Sequence, residues 1–227
     1  MPAKFHLAQF LTHGPTHHSH GMWRHPRNGE GWDADAWARP ELYQHIARVC
    51  ERGLFDMVFF ADLNYISDTY TGSLGPALQY AVQAPEHDPI PLLSFMAAAT
   101  ERIGSASTMS TSRHHPFHAS RLWATLDHLT RGRAGWNVVT SLNHNQAVNY
   151  GEQMDPTELR YEKASEFIEV SSAFFDEVGG DGFMLSPIYS PGAIEEFVDQ
   201  VVPELQRRGR FRTEYEGTTQ RDHLRQD

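Results

Sequence analysis

Residues 125–141 read TLDHLTRGRAGWNVVTS, and two periodicities meet inside that stretch. Leu122, Trp123, Leu126 and Leu129 recur at helical spacing over His118 to Thr130. Gly132 then offers a place to end the helix, and AGWNVVTS reads as a strand. The strand stops in Thr140-Ser141 and runs on into Asn143-His144-Asn145. A helix delivered through glycine into a short apolar strand is half of a βαβ unit, and ligands in parallel α/β folds gather at the carboxyl ends of strands. A strand ending in hydroxyls and amides is therefore read as opening onto a site.

The rest of the chain repeats this alternation. FHLAQFL (5–11) is a first strand, and a helix begins at Pro40 and is closed by Gly53. LFDMVFFAD (54–62) is a second strand, nearly continuous in apolar residues and ending in Asp62. DPIPLLSFMAAAT (88–100) reads as an Asp-capped helix leading into the strand IGSASTMSTS (103–112). A long helix over Pro156 to Asp176 carries Tyr161, Ala164, Phe167, Ile168 and Phe174-Phe175 on its apolar side. GFMLSP is a short last strand, and GAIEEFVDQVVPELQRRG a last helix that Pro203 kinks or divides. Apolar strands alternating with helices predict an α/β fold with a parallel sheet, here with about five βα units. The predicted carboxyl ends, Ala61-Asp62, Ser107–Ser112 and Thr140-Ser141, are all polar.

Composition narrows the function. The 227 residues are 40% hydrophobic, enough for a substantial core, and 19 basic against 29 acidic side chains give a net charge of −10. That balance argues against a general affinity for nucleic acid or an anionic membrane. The single cysteine, Cys50, precludes an intrachain disulfide and fits a buried thiol in the first helix. The N-terminal MPAKFHLAQF has no apolar leader core and no run of about 18 apolar residues occurs, so a cytoplasmic protein is expected.

Dinucleotide, P-loop and serine-hydrolase glycine motifs are missing. THGPTHHSHGMWRHP (12–26) holds five histidines without a carboxylate or cysteine at a metal-site spacing, and reads as a polar loop above the first strand. Arg160-Tyr161, at the start of the long helix, could hold a phosphate; a solvated arginine beside a core tyrosine explains the pattern equally well.

HGMWRHP (20–26), FDMVFFAD (55–62), TLDHLTRGRAGWNVVTS (125–141) and RYEKASEFIEV (160–170) closely resemble the bacterial-luciferase-like flavin-dependent monooxygenases. Within that family they are similar to the branch of nitrilotriacetate monooxygenase component A, dibenzothiophene-sulfone monooxygenase and long-chain alkane monooxygenase. The resemblance implies a TIM-barrel-like (β/α)8 architecture. It also implies FMN, used as FMNH2 delivered by a separate NAD(P)H:flavin reductase, and oxygenation of a small organic substrate with O2 through a C4a-peroxyflavin. Position by position, it places Asp62, Thr108, Asn137, Thr157, Arg160 and Tyr161 against the flavin. His17 and Gln83 fall on the substrate side with Ser67, and His17 and Asn137 are the catalytic candidates. Thr157 stands where relatives often carry a flavin-binding histidine, and Ser67 where one relative has a pocket tyrosine.

The resemblance also implies a gap. Phe174-Phe175-Asp176-Glu177 runs through Val178 almost directly into Gly179-Gly180, where the family continues with further strand-helix units and a serine that binds the FMN phosphate. Residues 1–178 then form the N-terminal half of a barrel, and 179–227 its last strand, last helix and tail. The barrel is incomplete, holding the first four units and the last, and its open edges favour a homo-oligomer. Two rival functions follow: a non-catalytic remnant acting through assembly with itself or a full-length homologue, and, more remotely, a histidine-rich metal hydrolase.

Overall fold

Short apolar runs bounded by turn-forming residues become parallel strands in this chain, and the amphipathic segments between them become the covering helices. The computed structural model describes residues 7–15, 24–141, 143–178, 184–185 and 202–207. The elements in order are β1 (Ala8–Leu11), a 3-10 turn (Ala36–Ala38), α1 (Pro40–Arg52), β2 (Met57–Phe60), α2 (Gly75–Gln79) and α3 (Ile90–Ala98). Then follow β3 (Gly104–Ser110), α4 (Pro116–Thr130), β4 (Ala134–Val139), α5 (His144–Asn149), α6 (Thr157–Val178) and β5 (Met184–Leu185). The chain divides into two units, residues 6–186 and residues 1–5 with 187–227. Of the second, only α7 (Val202–Arg207) is described; Pro203 lies in its first turn, where the missing N–H costs little. The rest of the predicted last helix lies outside the described residues.

The five strands pair in parallel in the unreversed order β1-β2-β3-β4-β5. A doubly wound sheet reverses its order and divides its helices between two faces. Here α1 packs on α3, α3 on α4, and α4 on α6, so the covering helices lie side by side in chain order. This is the winding of a barrel wall.

Alternation along the strands assigns the two faces. Leu11, Val58 and Phe60 pack with Tyr43, Ala47, Leu92 and Met96 of α1 and α3. Met109, Trp136 and Val138 pack with Trp123 and Leu126 of α4 and Phe167 and Ile168 of α6. The interleaved Phe59, Ala106, Thr108, Gly135 and Asn137 therefore face away from the helices. Trp136 stacks on Trp123 at 5.5 Å and meets Phe167 edge-on at 5.8 Å.

Local punctuation follows chemistry. Gly53 closes α1, and Asp88 accepts from the Ile90 amide at 2.9 Å ahead of α3. Arg131 and Gly132 end α4 in the left-handed region, with φ of 59° and 74°. Leu129 departs from expectation and is 64% exposed, because Trp123, Leu126 and Thr130 make up the buried stripe as α4 turns back towards β4. The short α2 and α5 were not foreseen; α5 is signalled by an Asn143–Gln146 capping box.

One arginine fastens the amino-terminal edge of the sheet. The Arg133 guanidinium donates to the carbonyls of Ala97, Thr100, Ile103 and Thr130 and to the Thr100 hydroxyl, at 2.9–3.2 Å. Arg133→Met strips those acceptors of their donor. It is expected to cost about 2–4 kcal/mol of stability, read from urea denaturation.

Candidate active site

β3 and β4 place a polar pair on the face away from the helices. Register sets Thr108 opposite Asn137, and the Asn137 amide donates to the Thr108 hydroxyl at 3.0 Å. That hydroxyl donates in turn to the Phe60 carbonyl at 3.0 Å, tying the pair to β2. Both side chains are buried, yet Asn137 Oδ1 has no hydrogen-bond partner among the described residues. An orphaned buried acceptor costs about 1–3 kcal/mol, so its retention points to a donor supplied from outside the described residues. Beside it, a Cβ on Gly135 would come within 3.0 Å of the Ala106 Cβ, and the glycine keeps that part of the face bare.

The end of β4 forms a second cluster. Ser141 adopts a left-handed φ of 63°, and its hydroxyl bonds that of Ser110 at 2.6 Å. The Ser112 hydroxyl donates to the Thr140 carbonyl at 2.8 Å. Arg160, buried in the first turn of α6, donates to the Thr140 and Ser141 carbonyls and to the Thr157 hydroxyl. It makes no ion pair among the described residues, and its Nε and the Thr140 hydroxyl are both buried without a partner. Tyr161 follows it, half-buried.

Beyond β2 and β3 lies a cavity of about 460 Å³ lined by Asp62, Gln83, Glu86 and His114, with Ile90 and Met109 among its apolar walls. The loop that brings Gln83 and Glu86 there is held against the end of β1. The His87 amide donates to the His13 carbonyl at 2.8 Å, and His13 Nδ1 lies 2.8 Å from the Asp88 carbonyl. A Cβ on Gly14 would meet the Pro85 carbonyl at 3.0 Å, so glycine permits the approach. Gln83 itself sits at φ 51°, a strained backbone for a side-chain-bearing residue, of a kind that clusters at ligand sites.

Of the three carboxylates lining this cavity, Asp62, Glu86 and Asp88, the first two are shifted upward. Burial, and then the charge of Asp88, push the Asp62 carboxyl up to about 7. Burial, and then the charge of Asp62, push Glu86 up to about 8, with the Leu63 backbone acting in the opposite direction. The two differ in their donors. With its amide turned to satisfy both ends, Asn64 donates to the two Asp62 oxygens at 2.7 and 2.8 Å, whereas neither Glu86 oxygen has a well-formed hydrogen bond among the described residues. Donors favour the charged form, so Asp62 is the ionised member and Glu86 holds the proton. Burial also lowers His13 and His114, keeping both imidazoles towards neutral.

The expected residues thus fall into three groups: Thr108 with Asn137, Arg160 with Thr157, and Asp62 with Gln83. Ser67 is not among the cavity-lining residues and bonds Thr69. His17 lies outside the described residues. Sequence reading missed Glu86, Asn64 and His114, which no motif marks.

A dibenzothiophene-sulfone monooxygenase of Rhodococcus erythropolis (strain XP) is 36% identical over 212 residues, covering 91% of this chain and 46% of that protein. The long-chain alkane monooxygenase of Geobacillus thermodenitrificans (strain NG80-2) is 39% identical over 171 residues, 75% of this chain and 38% of that one. The crystal structure of a long-chain alkane monooxygenase superposes with a TM-score of 0.70 at 38% identity, again covering 75% of this chain and 39% of the other. The chain spans less than half the length of these relatives. Its parallel α/β sheet corresponds to part of their TIM-barrel-like architecture, consistent with an incomplete barrel. Residues 21–186 match the luciferase-like monooxygenase family, and the chain belongs to that family.

Proposed function

We propose that this chain supplies the flavin-facing wall of an FMNH2-dependent monooxygenase that oxygenates a small organic substrate with O2, its reduced flavin coming from a separate NAD(P)H:flavin reductase. The observation that carries the reading is the buried Asn137 Oδ1, left without a donor among the described residues beside Thr108, on the face of the sheet away from the helices. A planar ring bearing N–H groups fits that surface, and Arg160 with Thr157 fits a phosphate. Among solved relatives, a riboflavin lyase 28% identical to this chain was crystallised with modified FMN and riboflavin.

In this reading Asn137 accepts a hydrogen bond from the flavin ring, Thr108 fixes the Asn137 amide, and Arg160, Thr157 and Tyr161 hold the flavin's phosphate side. Bound FMNH2 supplies the activation of O2; the protein orients the ring and keeps water away from it. Asp62 and Gln83 mark the boundary between flavin and substrate, and His17 is the proposed substrate-side proton donor. No described helix is long and apolar enough to cross a membrane.

Anaerobic titration with FMNH2 tests the proposal. Asn137→Leu removes the orphaned acceptor but leaves Thr108 bonded to Phe60, so the fold should persist while affinity falls about tenfold or more. A wild-type Kd weaker than about 1 mM, or equal binding by the variant, removes the flavin reading. A second reading, a non-catalytic remnant that assembles through its sheet edge, draws on the exposure of Leu7 and Phe10 at β1. Sedimentation as a monomer in the absence of FMNH2 would count against it.

A further inference from the structure

The loop after β2 carries a contact that the flavin reading does not use. The Tyr65 amide donates to the Leu63 carbonyl at 2.8 Å, closing a three-residue turn with Asn64 at its centre. The turn brings the Asn64 side chain back to Asp62, where its amide nitrogen stands 2.7 Å from one carboxylate oxygen and 2.8 Å from the other. A donor shared almost equally by the two oxygens fixes the tilt of the carboxylate and favours its charged form.

Asn64 is also anchored from outside its own turn. The Asn149 side-chain amide, at the end of α5, donates to the Asn64 carbonyl at 2.8 Å. α5 is itself fixed at both ends. The Asn143–Gln146 capping box opens it, and beyond its end the buried Arg113 side chain pairs with Glu152 and lies 5.8 Å from the centre of the Tyr150 ring. Asn149 and Tyr150 line the same cavity as Asp62 and Asn64.

We propose that Asn64 is a positioning residue, holding the Asp62 carboxylate in one orientation so that it meets a hydrogen-bond donor of the ligand bound in the cavity as a fixed acceptor. The inference rests on the proposed oxygenase function and adds a residue that supports its site.

The surroundings of Asp62 explain why it needs a holder. Asp62 lines the cavity and is half-buried. Around it stand Tyr65 on its own loop, Glu86, His87 and Asp88 ahead of α3, His114 after β3 and Tyr150 after α5. Burial, and then the Asp88 charge, act against an ionised Asp62. Among the described residues, Asn64 is the group that donates to its oxygens. Without that donor the carboxyl is free to turn and to take a proton, and either change alters the acceptor that a ligand meets. A site residue keeps its geometry when the residues behind it lock its orientation.

The test follows the Asp62 carboxyl carbon by NMR in the full chain without flavin, from about pH 4 to about pH 9, with Asp62→Asn identifying the signal. Asn64→Leu keeps the size of the side chain and removes the donor; Asn64→Ala removes the donor and adds no bulk. In both, the Asp62 midpoint should rise by at least about one pH unit, and thermal melts recorded in parallel should show a retained fold. A residue that merely shapes the turn would lower the melting temperature and leave the midpoint where it is. An unmoved or lowered midpoint in a variant that folds, or loss of the fold in both, overturns the proposal. Anaerobic FMNH2 titration is run separately on the same preparations. If Asp62→Asn binds FMNH2 as tightly as wild type, the placing of Asp62 beside the flavin fails, while a raised midpoint still upholds the role of Asn64.

Discussion

Trp136→Ala is expected to lower stability by about 3–5 kcal/mol, the largest effect of any single truncation in the sheet. Trp136 is 3% exposed, and its ring is enclosed by Trp123 and Phe167 while its indole N–H donates to the Met109 carbonyl at 3.1 Å. Alanine removes the joint between α4, α6 and β4, opens a cavity and leaves that carbonyl without its donor. Against a typical stability of about 5–15 kcal/mol, the variant should melt roughly 6–20 °C lower. Trp136→Phe retains most of the packing and should recover more than half of the loss. Circular dichroism melts of the three proteins check this, and a loss below about 1 kcal/mol for Trp136→Ala would show that the two helices do not depend on that joint.

The second large effect concerns pH. Glu86, and Asp62 with it, have folded-state values above their ordinary ones, at about 8 and about 7. Across the window from about 4.5 to about 8 the native protein retains the Glu86 proton that the unfolded chain releases. Stability contributed by the protonated group is therefore present below about 4.5 and lost as pH rises through about 8, at up to about 1.4 kcal/mol per pH unit for one proton. His13 and His114, lowered by burial, act in the opposite sense and lose stability as pH falls through the imidazole range. The difference between wild type and Glu86→Gln isolates the carboxyl. At pH 8–9 the variant should be more stable by on the order of 2–4 kcal/mol, and the gap should close towards pH 5. Urea midpoints at pH 5, 6, 7 and 8 check it; a constant gap would mean that Glu86 is ionised throughout.

Much of the fold was legible in the chain. Trp136 and Val138, Val58 and Phe60 of MVFF, and Ala164, Phe167, Ile168 and Phe175 of the α6 stripe are buried. Gly53 and Gly132 stand where α1 and α4 end. Leu129 escaped because periodicity defines a stripe and not how far a neighbouring element reaches along it. α2 and α5 were too short for a periodic signal, although the capping residues of α5 were present to be read.

The site was legible only where a strand end or a family motif marked it. Thr108 and Asn137 sit on adjacent strands, and register alone makes them partners. Glu86 carried no mark, because neither its burial nor the nearby Asp62 charge is a property of the segment around it.

The sequence by itself determined the parallel α/β class, the order of strands and helices along the chain and the polar strand ends, because hydrophobic period and turn chemistry act over a few residues. Tertiary structure alone decided the face on which Asn137 loses its second partner, and which carboxylate of the Asp62–Glu86 pair holds the proton. Desolvation and charge act through space, between segments that only the folded sheet brings together.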